Sequence, residues 1–202
     1  WVEGPKGQHI ELGISEMNLF TLLGQLGISG DISDQPLIPI GTVYDPFVLR
    51  GLDAFIYSVY SGARFIITGT PSGVTLAPEG GAHQSTITPS VGMELPGVVL
   101  MEPAYAQALD WLLCDALTHV AGQREETTPE LRPSELAFYF RLTTRPIDQD
   151  PFAQARERLG EALLRSQVIA GAYRLIDGRA NVDGSNKNDL TNAPVVHLVG
   201  TG

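Results

Sequence analysis

ARFIITG, residues 63–69, is an unbroken apolar run that closes on a glycine. Its length suits a strand, and its lack of polar alternation fits a strand buried on both faces of a parallel sheet. Working outward, similar runs recur with helical patterns between them. PLIPIGTVY (36–44), GVVLMEP (97–103) and ELAFYFRLTT (135–144) read as strands. DPFVLRGLDAFIYSVYSG (45–62) opens on Asp-Pro, a favourable helix start, and carries Phe47, Leu49, Leu52, Phe55, Ile56 and Val59 near helical spacing. AYAQALDWLLCDAL (104–117) and DPFAQARERLGEALLRS (150–166) are also helical in pattern. Upstream, in IELGISEMNLF (10–20), Ile10, Leu12 and Ile14 alternate as in a half-buried strand, and an apolar helix follows Ser15. The rhythm predicts an α/β fold with a mostly parallel sheet flanked by helices on both faces.

Composition narrows the function. The chain has 202 residues, 43% hydrophobic and 18% charged, an ordinary globular balance. A net charge of −10 argues against a nucleic-acid or anionic-membrane surface, which would need clustered Lys and Arg. The apolar runs are too short to span a bilayer. A single cysteine, Cys114, excludes an internal disulfide and a cysteine-based zinc site, and an intracellular, cytoplasmic protein is expected.

The chain starts at Trp1 and ends on APVVHLVGTG, a strand and glycine turn with no further element. It therefore reads as a segment of a longer polypeptide. The expected organisation is one α/β domain over 1–176, a linker over 177–193 and the first strand of a truncated C-terminal α/β domain over 194–202. GQREETTPELRPSE (122–135) reads as a polar connection.

Ligands of parallel α/β sheets sit at the carboxyl ends of the strands, so the residues just after each strand are the ones to question. Glu16, at the joint before the first helix, reads either as a helix-start acid favoured by the dipole or as an acid held in a cleft against a ligand nitrogen. TGTPSGVTLAPEGGAHQ (68–84) is a long glycine-rich loop ending in Glu79, His83 and Gln84. A loop of that length in a compact domain suggests function, and an imidazole is the natural proton carrier near neutral pH. It is not a phosphate loop, since Gly-Lys-Ser/Thr is missing. Tyr44, Phe47 and Arg50 lie three apart and could present rings to a flat ligand, although Phe47 also suits a core. His9, His119 and His197 have no partners at metal-ligand spacing, and no metal site is expected.

Five blocks in order carry a resemblance. GQHIELGISEMNL, PLIPIGTVYDPFVLRGLD, GTPSGVTLAPEGGAHQSTIT, VVLMEPAYAQALDWLLCDAL and FYFRLTTRPIDQDP resemble the pyrimidine-binding (transketolase-like central) domain of the thiamine diphosphate enzymes of the transketolase superfamily. The similarity runs over about residues 7–175 and is nearest to the homodimeric-type decarboxylating component of the pyruvate dehydrogenase complex. It implies a thiamine diphosphate-dependent 2-oxo acid dehydrogenase. Glu16 would hydrogen-bond the pyrimidine ring nitrogen and take part in catalysis with His83. Tyr44, Phe47 and Arg50 would bind the cofactor, and Glu79, His83, Gln84 and Arg145 the substrate.

His83-Gln84 and Arg145 also resemble the sugar-transferring transketolases, so a ketol transferase stays open. A degenerate relative acting as an assembly module stays open too. The superfamily's Gly-Asp-Gly…Asn motif for Mg2+ and diphosphate is absent from these residues. The resemblance therefore implies a second subunit or chain carrying the diphosphate-binding domain, hence a homodimer, and an acyltransferase core as a further partner.

Overall fold

A computed structural model describes residues 4–122 and 137–177. Four strands form one sheet: β1 (Ile40–Val43), β2 (Phe65–Gly69), β3 (Val98–Met101) and β4 (Ala137–Arg141). Their spatial order is β1-β2-β4-β3, and every neighbouring pair is parallel. The helices are α1 (Glu16–Gly27), α2 (Ser29–Ser33), α3 (Leu52–Tyr60), α4 (Thr88–Glu94), α5 (Ala106–Val120), α6 (Asp150–Leu159) and α7 (Glu161–Ile169). The expected α/β class, with a parallel sheet flanked by helices, is what the chain forms.

The chain divides into two compact units. The first takes the described residues of 1–101 and 116–144, and the second Glu102–Asp115 and the described residues from Arg145 on. In the first unit the two central strands explain the apolar runs. Every residue of β4 is buried, as are Phe65, Ile66 and Ile67 of β2. Strand side chains alternate between faces. Phe65, Ile67, Ala137 and Tyr139 join Phe20 and Leu23 of α1 and Phe55 and Val59 of α3 in one core. Phe20 and Phe55 stack with centroids 4.9 Å apart. On the other face, His119 in the last turn of α5 packs against Phe138 at 5.6 Å. Each fully buried phenylalanine contributes roughly 1.5–3 kcal/mol through the apolar area it removes from water.

In the second unit, Phe152 of α6 is the centre. Tyr105, Trp111 and Tyr173 pack their rings on it at 5.1, 5.7 and 5.5 Å. Arg156 Nη1 donates to Gln107 Oε1 at 3.0 Å, tying α6 to the start of α5.

Several expectations need correction. Residues 10–14 form no strand: Ile10 is 57% and Ile14 88% exposed, and Gly13 takes the left-handed φ of +64°. Alternation marks a strand only where a sheet edge accepts it, and none does here among the described residues. The helix expected over 45–62 is two pieces, a 3₁₀ helix (Asp45–Gly51) followed by α3. The helix expected over 150–166 breaks at Gly160 into α6 and α7. Helices α2 and α4 have no counterpart in the sequence reading. The polar connection from 123 on, the linker from 178 on and the strand over 194–202 lie outside the described residues. No helix among the described residues is long and apolar enough to cross a membrane.

Candidate functional site

The site is built where β1 and β2 end. Glu16 is the first residue of α1, where the partial positive charge of the helix N-terminus faces its carboxylate. The Glu16 side chain is only 10% exposed, and Oε2 lies 3.7 Å from Arg50 Nε. Arg50 is 58% exposed and places its guanidinium 5.4 Å from the centre of the Phe47 ring.

The 3₁₀ winding of 45–51 explains this alignment. With three residues per turn, positions i and i+3 eclipse. Tyr44, Phe47 and Arg50 therefore stand in one row, more nearly in line than an α-helix would hold them. Phe47 meets Tyr44 edge-on, with centroids 5.4 Å apart.

The glycine-rich loop adds the other wall. It winds into two 3₁₀ turns, Val74–Glu79 and Gly81–His83. The Tyr44 hydroxyl donates to Glu79 Oε2 at 2.5 Å. That bond to a carboxylate, then burial and the carboxylate's charge, push the Tyr44 hydroxyl above its ordinary pKa. His83 packs its ring on Phe47 at 5.9 Å and on Tyr44 at 6.1 Å. Its Nδ1 is buried and has no hydrogen-bond partner among the described residues.

Six of the sequence-selected residues thus touch in an unbroken path: Glu16, Arg50, Phe47, Tyr44, and then both Glu79 and His83. Gln84 is half-buried and caps the turn that ends on His83. Arg145 belongs to the second unit and is exposed.

Sequence reasoning missed the polar cluster under this path. Asp45 reads as a helix-start acid because Pro46 follows it, yet Asp45 is wholly buried. Its Oδ2 lies 3.2 Å from Arg141 Nε and 2.8 Å from Thr88 Oγ1. The Tyr139 hydroxyl donates to Oδ1. Burial, then the charge of Asp45 and the hydrogen bond to it, raise the Tyr139 hydroxyl far above its ordinary pKa. Gly69 is required beside it, because a Cβ there would collide with Asp45 Oδ1. The available signal was Arg141 itself. A lone charge in the apolar stretch LAFYFRL demands a buried partner.

No protein-family model matches the chain. Among curated proteins, it is 26% identical over 174 residues to a pyruvate dehydrogenase E1 component from Mycobacterium tuberculosis, covering 85% of this chain and 17% of that protein. It is 27% identical over 112 residues to a 1-deoxy-D-xylulose-5-phosphate synthase from Chlorobium luteolum, covering 55% and 17%. It is 26% identical over 188 residues to a 6-deoxy-6-sulfo-D-fructose transketolase subunit from a Clostridium species, covering 82% and 52%. The chain thus spans about a sixth of the pyruvate dehydrogenase component and about half of the transketolase subunit. These relatives and the parallel α/β sheet bear out the resemblance to the pyrimidine-binding, transketolase-like domain of thiamine diphosphate enzymes.

The residues present fit the pyrimidine end of such a cofactor. A nearly buried carboxylate stands beside a row of aromatic rings, and a buried imidazole nitrogen lacks a partner. They do not account for a metal. Among the described residues, no group of three or more His, Cys, Asp or Glu could hold one.

Proposed function

We propose that this chain is the pyrimidine-binding part of a thiamine diphosphate-dependent enzyme that decarboxylates a 2-oxo acid, of the pyruvate dehydrogenase type. The observation that carries the reading is the unbroken path from the Glu16 carboxylate through Arg50, Phe47 and Tyr44 to Glu79 and His83. The pyruvate dehydrogenase relatives support the substrate class.

Bound thiamine diphosphate would supply the electron sink for breaking the bond beside the 2-oxo acid carbonyl. Glu16 would share a proton with the pyrimidine ring nitrogen, in a setting dry enough to strengthen that bond. Arg50 offers the counter-charge and Phe47 a ring edge. Tyr44 keeps its proton and holds Glu79 by it, so Glu79 faces the substrate in one orientation. His83 offers Nδ1 to give or take a proton. Mg2+ and the diphosphate would be held by the diphosphate-binding domain of a second subunit in a homodimer, with an acyltransferase core as a further partner.

A second reading, ketol transfer between sugar phosphates, is favoured by the match to the transketolase subunit and by His83-Gln84. Arg145 would then meet a substrate phosphate. On this reading the chain is inactive alone, so the two readings are separated by assaying it assembled with a subunit that carries the diphosphate-binding domain, with thiamine diphosphate and Mg2+, on pyruvate with an artificial electron acceptor and on ketose phosphates. Turnover of pyruvate alone is expected. Turnover of ketose phosphates alone would replace the first reading with the second.

A further inference from the structure

Among the described residues, four buried polar side chains, Asp45, Ser85, Thr88 and Arg141, gather beneath the glycine-rich loop rather than in the aromatic row. Its members close the loop at the neck. Gly73 N donates to Ser85 Oγ at 2.9 Å, so residues 73 and 85 meet and the segment carrying Glu79 and His83 is looped out between them. Arg141 Nη2 donates to the Ser85 carbonyl at 2.9 Å and lies 3.2 Å from its Oγ. The same guanidinium reaches Asp45 through Nε. Thr88 Oγ1 lies 2.8 Å from Asp45 Oδ2 and 3.0 Å from the Ser85 carbonyl, and its single proton serves one of them at a time. Ser85 is buried and held at φ +48°, a left-handed conformation that a non-glycine residue keeps only when its surroundings impose it. Farther out, Thr75 Oγ1 and Thr143 Oγ1 meet at 3.1 Å.

Asp45 follows Tyr44 directly, and Ser85 is two residues from His83. We propose that Asp45 and Arg141 are positioning residues. Their buried pair grips the neck of the 73–85 loop and so sets Glu79 and His83 against Tyr44 and Phe47. The inference rests on the proposed function only for what Glu79 and His83 do to a ligand. The seating of the loop is independent of it. Arginine suits this task because its planar fork serves two acceptors in fixed directions, whereas lysine carries the same charge on a single flexible point. A pair needed only to neutralise charge in the sheet would have no use for the second arm on Ser85.

The test uses two variants of the full chain. Arg141→Lys keeps the charge beside Asp45 and loses the fork. Ser85→Ala keeps the ion pair and removes the acceptor for Gly73 N. Hydrogen exchange is measured along the chain, and beside it thiamine diphosphate and Mg2+ are titrated into the chain assembled with a subunit that carries the diphosphate-binding domain. In both variants the amides of 73–85 should exchange about tenfold faster or more, while those of β2 and β4 keep their protection. Thiamine diphosphate affinity should fall with them. If Arg141→Lys does not fold, Asp45→Asn, which keeps the side chain's shape and removes the charge that holds the guanidinium, decides in its place by the same exchange pattern. Unchanged protection at 73–85, or protection lost equally in the loop and the sheet, would overturn the proposal. A wild-type chain that binds no thiamine diphosphate even when assembled with a subunit carrying the diphosphate-binding domain would overturn the proposed function instead, and the exchange pattern would still decide the role of the pair.

Discussion

Asp45 and Glu16 are both carboxylates paired with an arginine in the first unit, and they live in opposite conditions. The Asp45 side chain is 0% and Arg141 5% exposed, at 3.2 Å. Glu16 is 10% and Arg50 58% exposed, at 3.7 Å. Asp45 has its oxygens filled by Tyr139, Thr88 and Arg141. Among the described residues, Glu16 has one loose partner, Arg50, whose side chain is largely in solvent. A satisfied buried pair has nothing left to offer a ligand, so it serves the scaffold. A sheltered acid with a solvent-exposed counter-ion keeps bonding capacity, which is what a binding site needs.

The sharpest way to break this contrast is to remove one member of each pair. Asp45→Ala strands a buried guanidinium and should cost about 3–5 kcal/mol, read from urea unfolding. A loss under about 1 kcal/mol would place the Asp45 pair in the same class as a surface contact.

Tyr139→Phe comes next. It leaves Asp45 Oδ1 without its donor and should cost about 1–3 kcal/mol. It also alters the alkaline limb. The folded chain holds the Tyr139 proton that the unfolded chain releases, since the folded pKa is raised. Stability is therefore full below the ordinary tyrosine pKa and falls above pH of about 10, by about 1.4 kcal/mol per pH unit for this group. Unfolding followed against pH should show that slope reduced by one proton in Tyr139→Phe. An unchanged slope would mean that Tyr139 ionises freely in the folded state.

Arg50→Ala should have the smallest effect on stability, less than about 1 kcal/mol, because its partner contact is long and its side chain is wet. A larger loss in the same urea experiment would erase the distinction between the two pairs.

Which parts were legible in the sequence follows the same division. The strands ARFIITG and ELAFYFRLTT were readable because burial on both faces writes an uninterrupted apolar run. The row of Tyr44, Phe47 and Arg50 was readable because spacing of three is local. Residues 10–14 misled because alternation says nothing about whether a neighbouring strand exists, and Ile14 points into solvent. Asp45 was hidden for a different reason. Its partners Thr88, Tyr139 and Arg141 are distant in sequence, and only the fold brings them to it. Local pattern revealed the aromatic row, while the buried Asp45 cluster depends on tertiary contacts.

The central claim is that Glu16 is a ligand-binding acid rather than a helix cap. The direct test is calorimetric titration of thiamine diphosphate, with Mg2+ present, into the wild-type chain and its Glu16→Gln variant, each assembled with a subunit that carries the diphosphate-binding domain. The expected result is saturable binding by the wild type, weakened about tenfold or more by Glu16→Gln, the loss fitting a charge-assisted hydrogen bond of about 1.5–3 kcal/mol. Equal affinity in the two proteins would contradict it and return Glu16 to the role of a helix-start acid.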